Sequence, residues 1–314
     1  MRAIRYHAYG HDSPRLEDAQ VPQPAAGEVL VRVHCASINP VDWKIADGAY
    51  RLLARGGLPR TMGSDFAGEI AAIGPGVARW SSGDRVMGFI DPFARSAGTF
   101  AEFVAVPAEF VMARPEDIGD ALGAALPCAG VTAVAMCDLG QVGRGSSVLV
   151  NGASGGVGHL AVQVAKARGA LVAATGSAAR REFVTALGAD VFIDYRSEPA
   201  TGWPMAFDAV LDCVPNLPRR LHRRLLKRGA HYVSTLPNGW TYTLDPLLNR
   251  VGPVRRHALM LQPNPAAVAE LVGYVEQRRV RCEIAGEYPL ERFGEALDRS
   301  RSGRVVGKLV IRVA

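Results

Sequence analysis

The apolar positions of this chain follow two rhythms, and the change between them falls near residue 118. Before it, short apolar runs are broken by Gly and Pro. Glu28 to Ile38, Phe66 to Ile73, Asp84 to Phe89 and Phe100 to Val106 read as strands, and Met1 to Tyr6 as a first one. Punctuators such as Pro22-Gln23-Pro24 and Gly74-Pro75-Gly76 separate them, the texture of an antiparallel barrel or folded sheet. From about Asp120, strands at 148–151, 171–174, 190–193, 208–213, 230–234 and 257–261 are spaced by helical stretches or loops, which predicts a parallel sheet with helices on both faces. Beyond Gln262-Pro263-Asn264-Pro265 come a helix (Ala266 to Arg278), a strand (Cys282 to Tyr288), a helix (Leu290 to Arg299) and a last strand, Lys308 to Val313. The uncharged run between Asp120 and Asp138 contains Pro127, Thr132 and many small residues, so it predicts a buried helix rather than a membrane span.

The second rhythm centres on one stretch. The β-branched run Val148-Leu149-Val150 ends at Asn151, four glycines occupy the next seven residues, and a helical pattern follows from His159 to Arg168. Read as Ala153-x-Gly155-x-x-Gly158, the turn is a variant dinucleotide fingerprint in the strand–turn–helix setting that such a motif requires. Ala153, Ser154, Gly155, Gly156, Val157 and Gly158 are therefore predicted to hold a pyrophosphate on backbone N–H groups at a helix N-terminus. The next strand runs into Thr175-Gly176-Ser177, followed by Arg180 and Arg181. No acid stands where an NAD site places one for the ribose 2′-hydroxyl. A hydroxyl and two guanidinium groups suit a 2′-phosphate instead, and the site reads as NADP(H). The plainer reading makes the arginines a solvated helix start.

Length and charge add bounds. A chain of 314 residues suits two domains, and 21% charged against 48% hydrophobic residues marks it as globular. The net charge of +6 comes from Lys and Arg spread along the chain, densest from Arg219 to Arg228, with no aromatic-studded stripe. A solvated basic surface that also attracts an anionic cofactor is expected rather than nucleic-acid binding. The five cysteines form no C-x-x-C pair and the N-terminus lacks an apolar signal core, so a cytoplasmic protein with reduced thiols is expected.

Several stretches resemble, in order and spacing, the medium-chain dehydrogenase/reductase superfamily, in its zinc-free quinone oxidoreductase (zeta-crystallin-like) branch. They include Ala36-Ser37-Ile38-Asn39-Pro40-Val41-Asp42-Trp43-Lys44, Gly63-Ser64-Asp65-Phe66-Ala67-Gly68-Glu69, Gly83-Asp84-Arg85-Val86 and Gly98-Thr99-Phe100-Ala101-Glu102-Phe103. The glycine loop, Ala186-Leu187-Gly188-Ala189-Asp190 and Gly303-Arg304-Val305-Val306-Gly307-Lys308 complete the likeness. It implies an α/β fold in which a Rossmann doubly wound parallel sheet (119–262) is inserted into a GroES-like β-barrel domain (1–118 and 263–314). It also implies an active site in the cleft between domains and a homodimer. At the three places where the alcohol dehydrogenase branch holds its catalytic zinc, this chain offers Asn39, Ser64 and Cys128, and one thiolate cannot hold an ion that needs three protein ligands.

Without a Lewis acid, the expected substrates are electron-poor acceptors: a quinone, or a C=C conjugated to a carbonyl, reduced by NADPH. By resemblance the loop with Asn39, Asp42, Lys44 and Tyr50 faces the nicotinamide. Asn39 is expected to donate to the substrate oxygen or steady the ribose, Lys44 to stabilise an enolate with Asp42 holding it, and Tyr50 to donate a proton. The alternative makes Asn39-Pro40 a turn, Asp42 a helix cap and Asp65 a structural hydrogen-bonding group. Further cofactor contacts are expected at Thr132, Tyr195, Leu236, Asn238, the backbone from Met260 to Gln262, and Gly307 and Lys308. The segment from Pro237 to Val254 is expected at the pocket or in a dimer contact. Three functions remain open: a quinone or enone reductase, an enoyl reductase tailoring a secondary metabolite, and a non-catalytic NADPH-binding crystallin-like or redox-sensing protein.

Overall fold

The structure is a computed structural model, and it describes residues 1–93, 97–203, 206–236, 244–259 and 264–314. The chain divides into a first unit, Met1–Cys128 with Ile284–Ala314, and a second unit, Ala129–Glu283.

In the first unit the long strand β3 (Glu28–Ser37) is the spine. It pairs antiparallel with β5 (Asp65–Ile73) along one edge, and with β7 (Phe103–Pro107) and β16 (Lys308–Arg312) along the other. β6 (Arg85–Phe89), β8 (Val111–Ala113) and β15 (Ile284–Pro289) complete a seven-stranded sheet. A second sheet joins β1 (Arg2–Tyr6), β2 (Arg15–Asp18) and β4 (Arg60–Thr61). Ile4 and Tyr6 of β1 share one core with Val29, Val31, Val33, Phe66, Ile70, Leu309 and Ile311. In β3, Arg32 alone is exposed among residues whose neighbours are buried, so the strand is covered on both faces over most of its length. A short helix, α1 (Pro40–Ala46), follows β3 directly, and Pro40 at its first position suits a start where no N–H partner is needed.

The second unit holds six parallel strands in the order β11-β10-β9-β12-β13-β14: β9 (Ser147–Asn151), β10 (Leu171–Gly176), β11 (Val191–Asp194), β12 (Phe207–Asp212), β13 (Leu226–Ser234) and β14 (Arg255–Ala258). That order, which reverses direction at β9, is the doubly wound arrangement with its ligand crevice at the carboxyl ends of the first strands. β9 is a continuous apolar run because it is central and covered on both faces. Helix α4 (Gly156–Ala167) packs on β9 and β10, burying Leu160, Ala161, Val164 and Ala165 as the helical spacing requires. His159 is buried too, with Nδ1 2.9 Å from the Gly155 carbonyl oxygen.

Two expectations shift. The uncharged run forms two helices, α2 (Asp120–Ala125) and α3 (Pro127–Leu139), because Pro127 cannot continue α2 but can open α3. The observed divisions also lie later than 118/119 and 262/263. α2 packs on β3, β5 and β16 of the first unit. The stretch from Asn264 to Glu283 belongs to the second, where Arg168 makes a two-pronged pair with Glu270 at 2.8 Å and the Gln163 amide donates to the Arg281 carbonyl oxygen. Among the described residues no helix is long and apolar enough to cross a membrane.

Candidate coenzyme and active sites

The glycine turn is built by backbone needs. Gly152 has φ +78°, and a Cβ there would stand 2.1 Å from Cγ2 of Val214. A Cβ on Gly158 would lie 2.1 Å from the Gly152 carbonyl oxygen, so only glycine lets α4 start this close to the turn. Thr175, at the end of β10, ties the turn down: its Oγ1 accepts from the Gly152 N–H (3.0 Å) and donates to Asn151 Oδ1 (2.7 Å), and its carbonyl accepts from Ala153 N–H (3.0 Å). α4 starts at Gly156 with no acid in its first turn. The first intrahelical bond runs from His159 N–H to Gly155, so the N–H groups of Gly156, Val157 and Gly158 precede it. Gly155 has only the Gly152 carbonyl oxygen near its missing Cβ, at 3.5 Å. Small residues, early N–H groups and a positive helix end fit a dinucleotide pyrophosphate.

At the carboxyl end of β10, Ser177 and Arg180 are half-buried and Arg181 is exposed, its guanidinium 4.5 Å from the Phe192 ring centre. Tyr195 is 51% exposed, and its N–H reaches the Gly176 carbonyl (3.2 Å), which fixes it beside the same strand end. Arg196, which the sequence reading passed over, stands over the Tyr195 ring at 5.9 Å and brings a third guanidinium to this rim. The carboxylate of Asp194 is spent on its own turn, accepting from Arg196 N–H and Ser197 Oγ at 3.1 Å each. Thr132 is buried on α3, and Leu236 is held through its backbone by Ser234 Oγ. Asn238, Trp240, Tyr242 and Met260 to Gln262 lie outside the described residues.

In the first unit, Asn39 and Asp42 enter a buried polar cluster whose centre is Asp65. Asp65 Oδ2 accepts from Ser37 Oγ (2.7 Å), Asn39 Nδ2 (2.8 Å) and Lys308 Nζ (3.5 Å), while Oδ1 accepts from the Cys128 N–H (2.8 Å). Lys308 also donates to Asn39 Oδ1 (2.6 Å) and to the Ile38 carbonyl (3.1 Å). Asp42 accepts from the Asn39 N–H (2.7 Å) and from Ser64 Oγ (2.9 Å). Burial pushes the Asp42 carboxyl up to about 7, against the pull of those two donors.

These contacts revise several expectations. The Asn39 amide donates to Ser64 and Asp65, so it positions the loop instead of offering a donor to substrate. Asp42 turns to Asn39 and Ser64 from the third position of α1, so Asn39 and not Asp42 is the cap residue, and no ion pair joins Asp42 to Lys44 among the described residues. Lys308 is 3% exposed with its nitrogen bound to three protein oxygens, so it braces Asn39 and cannot also grip a phosphate. Gly307, at φ +72°, supplies the turn that brings it there. Lys44 lies over Trp43, 5.5 Å from the ring centre, and partial burial lowers its pKa. Tyr50 meets Phe93 edge to face at 5.8 Å, and burial raises its pKa.

Asn39, Ser64 and Cys128 do lie around one point, Asp65. Their donors are a committed amide, a hydroxyl and a half-buried thiol, and a lysine ammonium stands within the same cluster. That set does not fit a zinc ion, which takes thiolate, imidazole or carboxylate ligands.

Comparison with known proteins identifies the family. Residues 25–116 match the family described as alcohol dehydrogenase GroES-like domain, and residues 187–311 the family described as zinc-binding dehydrogenase. The chain is similar to a chloroplast envelope quinone oxidoreductase homolog of Arabidopsis thaliana, 32% identical over 99% of this chain and 98% of that one. It is also similar to an NADPH-dependent alkenal/one oxidoreductase of the same plant, 30% identical over 99% of this chain and 79% of the other. Among solved structures, the quinone oxidoreductase from Coxiella burnetii superimposes with a TM-score of 0.90 at 30% identity, over 100% and 99% of the two chains.

Proposed function

This chain belongs to the medium-chain dehydrogenase/reductase superfamily as an oxidoreductase of its quinone oxidoreductase branch, and from that premise we propose that it reduces quinones or α,β-unsaturated carbonyls with NADPH, without a metal. The arginines at the end of β10 carry the coenzyme part of this reading. Arg196 lies over Tyr195, Arg181 lies over Phe192, Arg180 follows the end of β10, and Asp194 at the neighbouring strand end is occupied by its own turn. A 2′-phosphate meets guanidinium forks there, and the Asp194 carboxylate is not free to take a 2′-hydroxyl.

The nicotinamide coenzyme, when bound, supplies the hydride. Gly156, Val157 and Gly158 hold the pyrophosphate, and Arg180 and Arg181 take the 2′-phosphate. Lys44, partly desolvated against Trp43, is the cation that steadies charge developing on the carbonyl oxygen. Tyr50, whose raised pKa keeps its proton on, is the proton donor. Asn39, Asp42 and Lys308 position this loop from behind. Conjugated acceptors need only a hydride and stabilisation of the resulting enolate, which such groups supply without a Lewis acid. A homodimer in the cytoplasm belongs to the same reading. β14 pairs only with β13 among the described residues, so its outer edge is open to a second copy, and equilibrium sedimentation tests the mass.

The test is NADPH oxidation by the purified chain across quinones, alkenals and cyclic enones, with NADH in parallel and with a chelator. Turnover of at least one acceptor, preference for NADPH and indifference to the chelator are expected. NADPH binding without turnover of any acceptor moves the protein to the non-catalytic reading, and a preference for NADH removes the assignment at β10.

A further inference from the structure

Between Asp47 and Asp65 the chain carries Arg51, Arg55 and Arg60 and no acidic side chain, together with Leu52, Leu53 and Leu58. Gly56, Gly57 and Pro59 interrupt any regular period, so the pattern offers these leucines no core face to occupy. In the structure they find none. Leu52 is 92% exposed, Leu53 58% and Leu58 40%. A single exposed leucine is ordinary, but three on one short loop form an apolar tip that water surrounds.

The base of this loop is fixed. The Leu53 and Ala54 N–H groups both donate to the Tyr50 carbonyl, at 2.9 and 3.1 Å, which closes one helical turn. Tyr50, Ala54 and Phe93 pack partly buried against the core of the first unit. Gly56 and Gly57, at φ +92° and +68°, reverse the chain. The Arg60 guanidinium then pins the returning limb: it donates to the Arg55 carbonyl and, at 2.7 Å, to that of Pro92. The Arg55 N–H reaches the Phe93 carbonyl at 2.7 Å. The leucines therefore project from a backbone with little freedom left to lose on binding.

The three arginines divide. Arg60 is 3% exposed and spent on those carbonyls, whereas Arg51 and Arg55 are exposed and enter no ion pair among the described residues. The acid that precedes the loop, Asp47, pairs with Arg301 at 2.8 Å. Asp91, on the turn that Arg60 holds, accepts from the Phe93 N–H at 2.8 Å. The apolar tip is thus flanked by positive charge that the chain itself does not answer.

Two needs have to be met together: a hydrocarbon surrounding for the leucines and counter-charge for the arginines. A second protein would need a pocket shaped for Leu52 with acids placed around it. An anionic bilayer surface supplies both without shape matching, because its acyl chains are fluid and its phosphates line the boundary. We propose that this loop docks the protein reversibly on anionic lipid surfaces, with Leu52, Leu53 and Leu58 entering the acyl boundary while Arg51 and Arg55 meet the phosphates. Apolar insertion and basic attraction are each weak alone and act here as a pair. Neither the coenzyme nor the reductase chemistry enters this docking.

The experiment is co-sedimentation of the full-length chain with vesicles of phosphatidylcholine alone and of phosphatidylcholine and phosphatidylglycerol in equal parts. Binding to the anionic vesicles is expected to be about tenfold or more tighter than to the neutral ones, and to weaken as salt rises from about 0.1 to 1 M. Leu52→Gln with Leu53→Gln should lower affinity for the anionic vesicles about tenfold or more. Arg51→Gln with Arg55→Gln should remove most of the preference for them. All four side chains are exposed, so both variants should keep the wild-type unfolding midpoint. Leu52→Trp puts an indole at the tip, whose emission should shift to the blue on anionic vesicles and be quenched by brominated acyl chains. Arg223→Gln with Arg228→Gln, in the basic group of the second unit, should leave binding within about twofold, because that charge stands away from any apolar tip. No binding to the anionic vesicles, equal binding to both kinds, full affinity in the leucine variant, an unshifted emission from Leu52→Trp, or loss of binding in the Arg223→Gln, Arg228→Gln variant would overturn the proposal. So would a lower sedimentation mass of the leucine variant without lipid, which would mean that a second copy of the chain covers the loop.

Discussion

Each unit contains one aspartate with no exposed surface, and the two are satisfied in different ways. Asp65 gathers a serine hydroxyl, an asparagine amide, a helix-start N–H and the Lys308 ammonium. Asp212 gathers the Asn151 amide (2.7 Å), the Tyr232 hydroxyl (2.5 Å) and backbone N–H groups of Val214 and Leu217 at 3.3 Å, all neutral. Both cross-link strands: Asp65 joins the end of β3 and the start of β5 to the start of β16, and Asp212 joins β9, β12 and β13. The difference is the cation. A buried carboxylate held by neutral donors depends on hydrogen-bond geometry alone, whereas one that faces an ammonium leaves an unpaired buried charge when it is removed.

The largest effect should come from that difference. Asp65→Asn strands the Lys308 ammonium at 3% exposure and is expected to cost about 3–5 kcal/mol, read as a fall in the urea midpoint. Asp212→Asn leaves only neutral groups to rearrange and should cost about 1–3 kcal/mol. The double variant Asp65→Asn, Lys308→Met should recover part of the first loss, with a coupling of about 0.5–3 kcal/mol. If Asp212→Asn proves the more damaging of the two single changes, the cation is not what distinguishes the clusters.

Next in size is Gly158→Ala. The new Cβ would meet the Gly152 carbonyl oxygen at 2.1 Å, so α4 has to retreat from the turn that Thr175 and, through Asn151, Asp212 hold in place. Coenzyme affinity should fall about tenfold or more, or ~1.4 kcal/mol, measured by fluorescence titration with NADPH. The side-chain rim of the same site should respond differently. Arg180→Gln and Arg181→Gln should each raise the Kd for NADPH by about three- to tenfold and leave that for NADH unchanged, because only the phosphorylated ribose meets them. Equal losses for both coenzymes would assign these arginines to the fold rather than to the 2′-phosphate.

What could be read from the sequence divides along the same line. The glycine turn was legible because its demands are local: φ at Gly152 and the close approach at Gly158 are set by residues within one strand–turn–helix unit. The parallel strands were legible because central strands are continuous apolar runs. The short elements β2, β4 and β8 have too few residues to show a period, and α1 was visible only as a capping possibility at Asp42. Side-chain commitments were hidden wherever the partner is distant in sequence. Lys308, expected along the coenzyme, bonds Asn39 across 269 residues, and nothing in a Gly-Lys pair reveals on which side of a strand end the ammonium is buried. The basic group from Arg219 to Arg228 was expected as solvated surface. Its first turn instead turns inward, with Arg219 held by Asp245 and His222 buried against Tyr232, because both partners come from other strands and helices.

The smallest expected effect concerns Asp42, which stands behind Asp65 and shares neither its ammonium nor its full set of donors. Its folded pKa of about 7 lies above the unfolded carboxylate range, so the folded chain holds a proton that the unfolded chain has released. Between about pH 4 and 7 the unfolded state binds fewer protons, and this group makes stability fall as pH rises. Above 7 the penalty is complete, and below 4 it is absent. Asp42→Asn removes the titration while its side-chain oxygen can still accept from the Asn39 N–H and its amide can donate to Ser64 Oγ. The variant should therefore gain on wild type as pH rises from about 5 to 7 and no further above that, followed by urea unfolding at each pH. A constant difference across that range would mean that Asp42 ionises freely in the folded chain, and that the Asp65 cluster extends its electrostatic support to a second carboxylate.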